Sequence, residues 1–132
     1  MKKILILAVS FLFCAAAADA QEFQRMATQN VMQKVMVEEG FKIIKDEVKD
    51  GVRYVVAQPS EKVCSKQIDI EIKDGIIQKV VYTRGCEGNA KGIGALIKGM
   101  TVEEAIKRLD GITCGKRGTS CPDQLAQVLK AL

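Results

Sequence analysis

Apolar and polar residues alternate most cleanly from Gln67 to Lys73, where Ile68, Ile70 and Ile72 are separated by Asp69 and Glu71. A period of two marks a strand with one buried and one wet face. Around it, "EVKDGVRYVV" from Glu47 and "EIKDGIIQKVV" from Glu71 each set Asp-Gly between β-branched runs. That is a strong hairpin signal, because glycine takes a positive φ without steric cost. The pattern predicts strands over Phe41 to Val48, Val52 to Gln58, Gln67 to Lys73 and Ile76 to Thr83. They pair as two hairpins. An internal duplication or two independent turns explain the echo equally well. Pro59 and Ser60 break the chain between the hairpins and leave Cys64 near the start of the second.

Elsewhere the period lengthens. Glu22 to Glu39 lacks Gly and Pro and places Phe23, Met26, Val31, Val35 and Met36 at near-helical spacing, which predicts an N-terminal helix closed by Gly40. After Thr83, the residues Ile93, Leu96, Ile97 and Met100 predict a short helix ending near Gly99. Thr101 stands three residues before Glu104 as in a capping box, opening a helix that carries Ala105, Ile106 and Leu109 to Gly111. Pro122 at a first-turn position, with Leu125, Val128, Leu129 and Leu132 on one stripe, predicts a last helix. The predicted fold class is α+β: an N-terminal helix, an antiparallel sheet of two hairpins, and three C-terminal helices on one face.

The first twenty residues, "MKKILILAVSFLFCAAAADA", follow a different logic. A lysine-led start, an apolar run and an Ala-x-Ala end predict a secretory signal peptide, hence an exported protein, periplasmic or secreted, with no membrane attachment after cleavage. The expected organisation is a signal peptide over 1–20, a helix and hairpin over 21–57, and a four-cysteine domain over 58–132. Loss of the signal leaves Gln21 to Leu132, a length of 112 residues (132 less 20), enough for one modest core. It also lowers the net charge from +4 to about +3, because Lys2, Lys3 and Asp19 leave with it. Basic and acidic residues are interspersed and aromatics are few, so no nucleic-acid partner is expected.

Composition prunes the chemistry further. The chain has no histidine, which removes imidazole bases and Cys-His or Ser-His nucleophile pairs. No glycine-rich phosphate loop sits between a strand and a helix. Of five cysteines, Cys14 lies in the leader, leaving Cys64, Cys86, Cys114 and Cys121. All four stand at turns or element ends, which core packing would not produce. Cys86, in "RGCEGNAKG", and Cys121, before Pro122, fall near helix N-termini, where unpaired N–H groups favour thiolate. Lys116 and Arg117 add positive charge between Cys114 and Cys121. Four thiols form either two disulfides or one complete tetrahedral metal site.

The segments "VCSK" around Cys64, "GCEGNAKGI" around Cys86, "GITCG" around Cys114 and "TSCPDQLA" around Cys121 together resemble the TSCPD-domain family from about Gln58 to the C-terminus. Members include small four-cysteine proteins and the C-terminal domain of some ribonucleotide reductases. The resemblance implies a cysteine-bound metal, zinc, held by Cys64, Cys86, Cys114 and Cys121. More distantly the order of elements is similar to NifU-like iron–sulfur-cluster scaffolds, which implies Cys64, Cys86 and Cys121 as cluster ligands. Here, however, Lys66 stands where the scaffold has aspartate, Ser120 where it has histidine, and Cys114 adds a fourth sulfur. A closed four-thiolate site favours structural zinc over an iron–sulfur cluster.

Three functions follow as expectations. The first is a non-catalytic, exported zinc module. The second is a disulfide-stapled domain whose open sheet face or N-terminal helix binds a protein partner. The third, implied by the family alone, is an accessory or thiol-redox domain related to ribonucleoside-diphosphate reductase, with no nucleotide turnover of its own.

Overall fold

The computed structural model describes Gln24 and residues 40–132. The expected signal peptide lies outside the described residues. So does the helix expected over Glu22 to Glu39, apart from Gln24, which is helical.

Four strands, β1 (Lys42–Lys49), β2 (Val52–Gln58), β3 (Gln67–Lys73) and β4 (Ile76–Thr83), form one antiparallel sheet in the order β1-β2-β3-β4. Both Asp-Gly pairs make the expected turns. Asp50 and Gly51 have φ of 52° and 74°, and Asp74 and Gly75 have 51° and 74°; two successive positive values are the mark of a type I′ turn, whose twist matches that of the flanking strands. Pairing of β2 with β3 joins the two hairpins into a single meander.

One face of this sheet is dry. Val55 and Ala57 on β2, Ile68, Ile70 and Ile72 on β3, and Ile77 and Val80 on β4 are all buried. Strict alternation cannot place both Ile77 and Val80 inward, since they are three residues apart. A bulge resolves this: Ile72 lies opposite Ile77 but Glu71 opposite Lys79, so Gln78 is the extra residue and the parity of β4 flips. A second irregularity at Ile44 in β1 leaves that side chain exposed.

Three helices, α1 (Glu87–Ile97), α2 (Val102–Leu109) and α3 (Cys121–Lys130), complete the α+β architecture. Ile97, Ala105, Leu109, Leu125, Ala126, Val128 and Leu129 join the buried sheet residues in one apolar cluster. No cysteine belongs to it. Between α1 and α2 the chain runs along β4, with Ile77 N–H donating to the Met100 carbonyl and Gly99 N–H to the Ile77 carbonyl. No helix among the described residues is long and apolar enough to cross a membrane.

The first two helices differ from expectation. α1 begins at Glu87, ahead of the stripe that starts at Ile93, because its opening turns, "EGNAKG", carry almost no apolar signal; Leu96, expected inside, is exposed. Thr101 accepts from Glu104 N–H at 3.2 Å, but the reciprocal half of the capping box is not made. The Glu104 carboxylate instead takes a 2.6 Å bond from Arg108 Nε one turn on. At α3 the cap is Ser120, whose hydroxyl accepts from Asp123 N–H, and Cys121 is the first helical residue, near the N-terminus as expected.

Candidate functional site: a cavity lined by four thiols

Two loops and two helix starts carry the cysteines. Arg84 and Gly85, with φ of 64° and 96°, turn the chain sharply out of β4 and deliver Cys86 to the N-cap of α1. Lys66 N–H donates to the Thr83 carbonyl at 2.9 Å, fixing the loop that holds Cys64 beside that same turn.

Cys114 and Cys121 are held by a buried polar network built from the "TSCPDQ" segment. The Asp123 carboxylate accepts from Gly111 N–H at 2.8 Å and from the Thr119 hydroxyl at 2.6 Å. Ser120 Oγ donates to the Ile112 carbonyl at 2.6 Å. Gln124 donates through Nε2 to Thr119 Oγ1 and accepts, through Oε1, the N–H of Ser60 at 2.8 Å. Thr119, Ser120, Asp123 and Gln124 are all buried, and every buried side-chain polar atom among the described residues has a partner. In a low-dielectric interior such satisfied networks fix one arrangement. Most of this motif is therefore scaffold. It ties the 111–120 loop to α3 and, through Ser60, to the loop before β3.

Cys64, Cys86, Cys114 and Cys121 all line one cavity of about 370 Å³. Its walls are mainly apolar, including Val63, Tyr82, Ile93, Leu109 and Ile112, with Arg84 and Arg117 also facing it. Cys64, Cys86 and Cys114 are exposed and Cys121 is half-buried. Free cysteines that merely fill space are among the most buried of residues; these are not.

Three side chains hydrogen-bond the sulfurs or the cysteine backbone. Arg117 Nη1 donates to Cys64 Sγ at 3.0 Å. Ser65, fully buried, donates its hydroxyl to Cys121 Sγ at 3.2 Å. Tyr82 Oη donates to the Cys121 carbonyl at 3.4 Å. The bond to Cys64, reinforced by electrostatic attraction toward the Cys64, Cys114 and Cys121 sulfurs, raises the already high pKa of Arg117. Burial, and secondarily the Cys121 thiol, pushes the Tyr82 phenol far above its usual range. Tyr82 thus remains a neutral donor.

The four expected site residues therefore converge on one cavity. All four are free thiols. Among the described residues no three Cys, Asp or Glu side chains are placed as a preformed metal-binding group. The donor set nonetheless fits a soft divalent ion: four sulfurs and no imidazole, with a guanidinium to offset thiolate charge. Sequence reading missed Ser65, Tyr82 and Asp123. Nothing in the local pattern of "VCSK" or "VVYT" marks a side chain destined to meet Cys121, since both contacts are long-range.

A family model, the TSCPD domain, matches residues 24–132. It takes in β1 and β2 as well as the cysteine-bearing segments, consistent with the single sheet they share. No curated protein and no solved structure gives a significant match.

Proposed function

From the membership of this chain in the TSCPD-domain family, we propose that it is an exported, non-catalytic metal-binding module in which Cys64, Cys86, Cys114 and Cys121 hold one zinc ion. The observation that supports this most directly is that all four thiols line the same cavity although they are spread from residue 64 to residue 121. A tetrahedral four-thiolate zinc has Zn–S bonds of about 2.3 Å, which sets neighbouring sulfurs about 3.8 Å apart. Three of the thiols are exposed side chains on turns or a helix cap.

The ion would act as a clamp rather than a reagent. It would tie the loop before β3, the start of α1, the 111–120 loop and the start of α3 to one another. No histidine is present to serve as a base, and the apolar cavity walls give no phosphate cradle. Export rests on the leader, "MKKILILAVSFLFCAAAADA".

Metal analysis tests the site. Protein purified under reducing, non-denaturing conditions is expected to carry one zinc per chain, and each Cys→Ser change is expected to lower that occupancy. Recovery of four oxidised cysteines with no ion would replace this reading by the disulfide-stapled one. Separately, N-terminal sequencing of protein purified from its own cells is expected to begin at Gln21; an intact Met1 start would remove the cleaved-leader reading on which export rests.

A further inference from the structure

We propose that Arg117 is a positioning residue of the thiol site, whose hydrogen bond to Cys64 persists when a divalent ion binds and offsets part of the complex's negative charge. The inference rests on the metal-site reading above and goes beyond it by assigning a role to a residue that is not a ligand.

Charge counting motivates it. Four thiolates and one divalent ion leave a net charge of −2, in a cavity whose walls are mainly apolar. Such a complex needs compensation from nearby donors. Two arginines line the cavity, Arg84 and Arg117. Arg117 is the one with a sulfur contact, at 3.0 Å to Cys64 Sγ.

The fold holds it there. Cys114 N–H donates to the Thr119 carbonyl at 3.1 Å and Arg117 N–H to the Cys114 carbonyl at 3.3 Å, so one closed turn carries both a ligand sulfur and the compensating cation. The contact reaches a thiol 53 residues earlier in the chain. Arginine suits the task better than lysine. Its fork offers several N–H donors at fixed angles and is less strongly hydrated, so one can remain on sulfur while the rest face water.

Cobalt(II) titration of the reduced full-length protein, followed by its sulfur-to-cobalt charge-transfer absorption and by competition with zinc, tests the proposal. Arg117→Gln is expected to bind either ion about fivefold more weakly, the scale of an exposed charge contact. The absorption band should move to lower energy, because an N–H···S bond stabilises the sulfur lone pair that donates the electron. Added salt should narrow the difference, Arg117→Lys should recover part of the affinity, and the metal-free melting temperature should stay unchanged. Equal affinity with an unshifted band would overturn the role of Arg117 while leaving the metal site standing. Tighter binding by the variant would overturn it too, showing that Arg117 competes with the ion. A wild-type protein that binds neither ion would overturn both readings together.

Discussion

Ser65 and Cys121, 56 residues apart in sequence, are joined by a hydrogen bond of 3.2 Å from the serine hydroxyl to the cysteine sulfur. Ser65 is 1% exposed, so this bond has no water to replace it. It fastens the loop that carries Cys64 to the first residue of α3. Ser65→Ala is expected to lower unfolding free energy by about 1 kcal/mol. A urea midpoint unchanged from wild type would show that the contact carries no stability.

Asp123 is the centre of the buried network, accepting from Gly111 N–H and the Thr119 hydroxyl at once. Asp123→Asn keeps one carbonyl oxygen but turns the other acceptor into an NH₂ donor facing a hydroxyl. The expected cost is about 2 kcal/mol, the scale of a hydrogen bond to a charged group in a buried setting. Chemical denaturation measures it. Because the network shapes the 111–120 loop, alkylation of Cys114 should also become faster in the variant.

The packing of α1 on β4 depends on a missing side chain. A Cβ at Gly94 would stand 2.6 Å from the Val80 carbonyl oxygen, which is backbone and cannot swing aside. Gly94→Ala is therefore expected to destabilise the protein by about 1–3 kcal/mol. Gly88, in the same helix, has open space around its Cβ position, so Gly88→Ala should raise stability by up to about 1 kcal/mol. Thermal melts that move in the same direction for both would contradict this account.

Asp46 and Arg53 form a two-point pair across the β1–β2 hairpin, with bonds of 2.8 and 2.6 Å, while Arg53 Nη1 also donates to the Leu132 carbonyl. The Arg53 hydrogen bond holds the Asp46 carboxyl below its ordinary value of 3.8. A lowered folded pKa stabilises above the unfolded value, and that stabilisation is lost as pH falls through the folded value. Both partners are about one-third exposed, so screening keeps the contribution under about 1 kcal/mol. Asp46→Asn should lower stability slightly near neutral pH and by progressively less below pH 3.8, as followed by denaturant midpoints across that range.

Metal removal should have a limited effect on the fold. The apolar cluster joins sheet and helices without using any cysteine, so it does not depend on the site. A chelator is expected to lower the melting temperature of zinc-loaded protein without abolishing its circular-dichroism spectrum, and added zinc should restore it. Complete unfolding on chelation would show that the core is too weak to stand alone.

The sequence alone determined what local forces control. The alternation of Ile68, Ile70 and Ile72, the two Asp-Gly pairs, and Pro122 beside a leucine stripe each encode their element within a few residues, because period and turn chemistry act at short range. The four cysteines were legible as candidates for the same reason, standing at turns and ends. The bulge that turns both Ile77 and Val80 inward, the use of Glu104 by Arg108, and the start of α1 at Glu87 were settled by packing against neighbours distant in the chain. So were the roles of Ser65, Tyr82 and Asp123, and the gathering of four thiols around one cavity, since each depends on surfaces that meet only once sheet and helices have closed on a shared core.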